Sequence, residues 1–107
     1  MAYKGSIPKG SRVDIELQVD AGAKGAALVA VSFADNGGGS GSDSATVAPA
    51  GTGRCGVQTD PGSAGLLRVF VDLNDDTDTG MLTVSVGGAV YDHARITGDT
   101  TWSYSLS

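Results

Sequence analysis

The chain has 107 residues, 40% of them apolar, and a formal net charge of −5. That supports one domain with a modest core and is too apolar for a disordered chain. The seven Lys and Arg are scattered and outnumbered by twelve acids, which argues against nucleic-acid binding and against attraction to anionic membranes.

The apolar supply is skewed toward small residues. Two Phe, three Tyr and one Trp stand against 17 Gly and an abundance of Ala, Val, Ser and Thr, a composition suited to thin β layers. Of the acids, only Glu16 is a glutamate; the aspartates belong on turns rather than in helix interiors. The opening MAYKGSIPKG lacks the apolar core of a signal peptide, and no window approaches the ~18–20 apolar residues of a membrane-crossing helix. The single cysteine, Cys55, rules out an intramolecular disulfide.

Residues 1–11 carry no strand pattern and are expected to be a flexible N-terminal segment. Val13, Ile15, Leu17 and Val19 then alternate with Asp14, Glu16, Gln18 and Asp20, the period of a half-buried strand. AGAKG (21–25) is too short for a crossover helix, so the next strand is expected to return as a hairpin. That strand, Ala26–Ala34, is apolar on both faces, as in a central position. DNGGGSGSDS (35–44) reads as a flexible Gly/Ser loop, followed by short edge pieces at Ala45–Ala48 and Cys55–Thr59 between prolines and glycines.

Leu66–Leu73 and Met81–Val86 are the clearest strands and are expected to pair as a hairpin. Gly87-Gly88 turns the chain into a strand through Ile96, and Gly98-Asp99 turns it again into Thr101–Ser107, with Trp102, Tyr104 and Leu106 facing in. About seven or eight short strands without helix predict a single all-β domain over 1–107, an antiparallel β-sandwich of jelly-roll or Greek-key type.

The sharpest chemical feature is Asp72–Gly80, DLNDDTDTG, which packs four acids and an asparagine between two strands. Asp72, Asn74, Asp76 and Asp78 recur at every second residue, with Asp75 as an alternative, and no Lys or Arg lies between Arg68 and Arg95. This makes the loop a candidate Ca2+ site built from hard oxygen donors. It is not a helical calcium hand: the sixth position is Thr77 rather than glycine, and the twelfth is Thr83 rather than glutamate. The same residues also suit a solvated turn.

Asp92 and His93 are neighbours on a strand, so their side chains should point to opposite faces and not support one another. Cys55 beside Arg54 could pair with His93, the only histidine, in a small thiol hydrolase, but no family signature surrounds either. Tyr91, Trp102 and Tyr104 could offer a sugar-stacking platform, although the serines alternating with Trp102 and Tyr104 favour a core role. Phosphate-loop, dinucleotide and zinc spacings are absent.

These features point to a noncatalytic structural, assembly or binding module. The alternative is a calcium-dependent carbohydrate-binding or accessory domain using the acidic loop. Leu28, Leu66 and Phe70 need cover beyond one sheet-to-sheet layer, which predicts self-association or a place in a larger assembly.

Overall fold

A computed structural model describes residues 2–107 as nine strands with no helix among them. The strands are β1 (Ala2–Ile7), β2 (Arg12–Val19), β3 (Ala27–Asp35), β4 (Ser40–Val47), β5 (Thr52–Gln58), β6 (Gly65–Asp72), β7 (Thr79–Val86), β8 (Ala89–Thr97) and β9 (Thr100–Leu106). They form a five-stranded sheet ordered β1-β9-β6-β3-β4 and a four-stranded sheet ordered β5-β2-β7-β8. The expected all-β sandwich is therefore the fold.

Alternation along each strand sorts apolar side chains to the inside, and the two inner faces meet. Val13, Ile15, Leu17 and Val19 of β2, with Leu82 and Val84 of β7, face Val29 and Val31 of β3 and Leu67, Val69 and Val71 of β6; all are essentially inaccessible to solvent. Trp102, Tyr104 and Leu106 close the core from β9, in keeping with their alternation with serines.

Three expectations need correction. The first concerns the N-terminus. Met1 lies outside the described residues, but Ala2–Ile7 is an ordered strand paired parallel to β9 rather than a flexible lead-in. Only Ile7 of this strand is buried, so no alternation advertised it. The register shifts between Tyr3 and Gly5, where Gly5 takes φ 126°, a conformation that suits a residue without Cβ.

The second concerns residues 35–44. Only Asn36–Gly39 bridge two strands, and Ser40 already begins β4, which pairs along the whole of β3. The Asp35 carboxylate accepts the amides of Gly37 at 2.9 Å and Gly39 at 2.8 Å, which pins the turn. The expected piece at Ala45–Ala48 is the end of this strand; side chains carry no signal for its first half, and the exposed backbone edge of β3 supplies the reason for it.

The third concerns the hairpins. Leu66–Leu73 and Met81–Val86 do not pair with each other, and neither do the strands on either side of AGAKG. In both cases the chain crosses from one sheet to the other. Each partner turns its apolar face to the same core, and alternation is equally compatible with lateral pairing and with crossing over. Only β3–β4 and β7–β8 are joined as neighbours within a sheet.

Because Ile7 is the one core residue of β1, Ile7→Ala should cost about 2–5 kcal/mol. Leu66→Ala, on the outer face, should cost less than about 1 kcal/mol. Urea denaturation of both variants checks this. An Ile7→Ala midpoint equal to wild type would show that β1 stands outside the cooperative unit.

Candidate functional site

The crossovers gather the Asp-rich segments at one end of the sandwich. The β2–β3 connection, the β6–β7 connection and the β8–β9 turn meet there through a few hydrogen bonds. Asp20 N–H donates to the Thr79 carbonyl at 3.1 Å and Gly98 N–H to the Asp78 carbonyl at 3.0 Å. Gly98 holds φ 65°, and an added Cβ would approach the Asp76 carbonyl to 3.2 Å, so glycine suits the tight β8–β9 turn.

Within this end the carboxylates are mostly engaged by the protein's own donors. Asp78 is buried, and both its oxygens accept from the backbone N–H of Lys24 at 3.0 Å. Asp75 accepts from Thr77 N–H at 2.9 Å and Thr77 Oγ1 at 2.7 Å, and its second oxygen lies 3.4 Å from Lys24 Nζ. These contacts hold the Asp75 carboxyl below the usual range, the Thr77 hydroxyl first and the Thr77 amide next. Asp20 accepts from Thr79 Oγ1 and from Arg95, at 3.1 Å for the closest guanidinium contact.

The missing counter-charge therefore comes from elsewhere in the chain. Lys24 meets Asp75 of a run that looks unrelieved in sequence, and Arg95 meets Asp20 beside it, because the β2–β3 connection and β8 both reach the acidic end. Asp78 is held by a backbone amide alone, and Asp72 and Asp76 also form no ion pair among the described residues. Asp72, at the outward end of β6, instead meets Asp99 of the β8–β9 turn. The Asp72 carboxyl raises the Asp99 pKa by hydrogen bonding and by its charge, and Asp76 adds to the effect.

The four residues of the candidate calcium loop are thus not brought to one point. Asp78 turns inward to Lys24, Asn74 packs its amide against Gly25, Asp72 faces Asp99, and Asp76 contributes only charge to that pair. Among the described residues, no three His, Cys, Asp or Glu side chains converge in a way that could hold a metal ion. Asp20, Lys24 and Asp99 are members of this end that spacing along the loop could not reveal.

The thiol and imidazole are also kept apart. Cys55 lies on β5 and His93 on β8, the two opposite edges of the four-stranded sheet. Cys55 points inward, 3.9 Å from the Val29 carbonyl, and burial, with Asp43 and Asp14 adding to it, pushes the thiol up to about 11. His93 is exposed, with Nδ1 2.7 Å from Thr83 Oγ1. Asp92, its neighbour, turns to the other side and meets Lys4 at 3.5 Å and the Tyr104 hydroxyl at 3.0 Å.

That second cluster clasps the side of the sandwich between β1 and β8. Lys4 Nζ sits 4.5 Å from the Trp102 ring centre, and Tyr91 meets Tyr104 edge-on at 5.9 Å while donating its hydroxyl to the Ser6 carbonyl. Burial first, then the Asp92 charge, raises the Tyr104 pKa. Trp102 and Tyr104 are spent on the core, so Tyr91 alone of the three rings is exposed, and no sugar-stacking platform forms.

The two outer faces differ sharply. The four-stranded sheet presents Asp14, Glu16, Arg54, Thr83 and Ser85 around a shallow depression of about 240 Å3, and its charges pair across or along strands: Arg12–Asp14 at 3.1 Å and Arg54–Glu16 at 3.2 Å. The five-stranded sheet instead exposes Leu28, Leu66 and Phe70 on adjacent strands, with Tyr3 at its edge. Comparisons with protein-family models, curated proteins and solved structures find no match.

Two outcomes follow for the acidic end. Asp99 holds its proton to higher pH in the folded state than when unfolded, so the fold loses stability as pH rises through and above the ordinary value of 3.8. Asp99→Asn should therefore raise the melting temperature at pH 7 and leave it unchanged at pH 3; equal effects at both would remove the repulsion. Asp78→Ala strands the Lys24 amide and should cost about 1–3 kcal/mol, in calcium and in chelator alike. A wild-type melt that rises in millimolar calcium would show instead that the loop reorganises around the ion.

Proposed function

We propose that this chain is a noncatalytic β-sandwich module, a structural, assembly or binding domain that acts through the outer face of its five-stranded sheet. The observation that carries the reading is the placement of Leu28, Leu66 and Phe70, each 37–39% exposed, on the same face of two adjacent central strands. Scattered apolar residues on a surface need no explanation, but large ones grouped on one sheet face mark a contact surface.

The surroundings support this. Ser32, Ser42, Ser44, Ala30, Ala34, Ser105 and Thr101 flank the three large residues in the ladder, so the face carries little that would obstruct an approaching surface. The central strands of the opposite sheet carry self-paired charges, and its exposed apolar residues, Val90 and Tyr91, lie only on the edge strand β8. The reading also accounts for β3, whose apolar character on both faces exceeds what the core uses.

If these side chains serve contact and not folding, replacing all three with serine should be nearly neutral. Thermal melts at low micromolar concentration should place the triple variant within about 5 °C of wild type, and dye binding to exposed apolar surface should fall. A drop of about 15 °C or more, typical of lost core packing in a domain this size, would assign the three residues to the fold and end the contact reading.

A further inference from the structure

We propose that two copies of this chain associate through that face, related by a dyad that crosses the strands at Phe70 and Ala30 and sets Arg68 of each copy against Asp72 of the other. The proposal deepens the contact-module reading and rests on it.

The charges on the face select the occupant. Arg68 stands mid-strand on β6 between Leu66 and Phe70, exposed, and of the basic residues within strands it alone makes no ion pair among the described residues, Lys9 lying in the β1–β2 turn. Asp72 ends the same outward row and meets another carboxyl instead of a cation. An unmatched cation and an unmatched anion thus lie two residues to either side of Phe70. A partner that answers both must present an acid and a base at the same spacing, in the opposite order. A second copy does.

Register decides the geometry. A dyad lying in the interface and running across the strands reverses strand direction, so residues equally far before and after Phe70 are superposed. Phe70 then lies on Phe70, and Arg68 lies on Asp72 twice over. On β3 the ladder pairs Ala30 with Phe70, Leu28 with Asp72 and Ser32 with Arg68. The same dyad therefore sets Ala30 on Ala30 and Leu28 over Ser32, beside a shallow depression of about 120 Å3 lined by Ser32, Phe33, Ala34, Leu66 and Arg68. A dyad running along β6 instead stacks Arg68 on Arg68 and Asp72 on Asp72, which like charges forbid. The serines and alanines around the centre allow two sheets to approach to the ~10 Å of ordinary face-to-face packing. A cation delivered to Asp72 also relieves its crowding with Asp99.

Sedimentation velocity from low to high micromolar, on wild type, Arg68→Asp, Asp72→Arg and the double exchange, tests this. Wild type should dimerise. Each single variant should weaken the dimer by at least about 100-fold, since like charges then meet twice. The double exchange should restore it. As a check independent of charge, Ala30→Cys, also on the dyad but leaving Phe70 in place, should cross-link with a short bis-maleimide, while wild type, whose Cys55 is buried, should not. A monomeric wild type at high micromolar overturns the proposal. So does a dimer indifferent to Arg68→Asp, one that the double exchange fails to restore, or an Ala30→Cys protein that does not cross-link. In each of those cases the contact-module reading still stands or falls by the melts of the serine variant.

Discussion

Two apolar faces pressed together hold this molecule in shape: β2 and β7 on one side, β3 and β6 on the other, with β9 closing the gap. Their side chains are mostly Val, Leu and Ile, so the layer between the sheets is thin and must be filled from both sides. Most of the other arrangements follow from that requirement. A chain that has to supply both faces crosses repeatedly from sheet to sheet, and each crossing leaves a connection at one end of the sandwich. The acidic end is a product of these crossings and not of any attraction among aspartates.

The same requirement explains how the chain uses its few large residues. Trp102 and Tyr104 fill the flank of the core beside β1 and are joined there by Lys4 and Asp92, so the most polarisable rings are structural. Cys55 and His93 are separated by the width of the four-stranded sheet. What remains outside is a pair of sheet faces of opposite character. One face carries the Arg12–Asp14 and Arg54–Glu16 ion pairs, with Val90 exposed on its edge strand. The other exposes Leu28, Leu66 and Phe70, with Arg68 and Asp72 in the same outward row of β6.

The aspartates show how little a charge count says about a site. In the sequence, Asp72 to Asp78 is an acidic run with no base nearby. In the fold, Lys24 brings a backbone amide to Asp78 and an ammonium to Asp75, and Arg95 reaches Asp20. The group left uncompensated is Asp72 with Asp99, a pair separated by a whole hairpin in the chain and joined only because β6 and β9 are neighbours.

The fold class, the inward positions of β2, β6, β7 and β9, and the core role of Trp102 and Tyr104 were legible in the sequence alone, because period-two alternation is a local property that each strand declares for itself. The excess apolar character of Leu28, Leu66 and Phe70 was legible for the same reason. Strand β1 and the first half of β4 were not, since Ala2–Ser6 and Ser40–Ser44 carry no inward apolar row and are held by the backbone edges of β9 and β3. Nor could alternation tell pairing from crossing, so the expected hairpin around Asp72–Gly80 proved to be a link between sheets. Tertiary structure alone decided which aspartate meets which partner and which sheet face lies open, because both depend on contacts between residues that the chain keeps far apart.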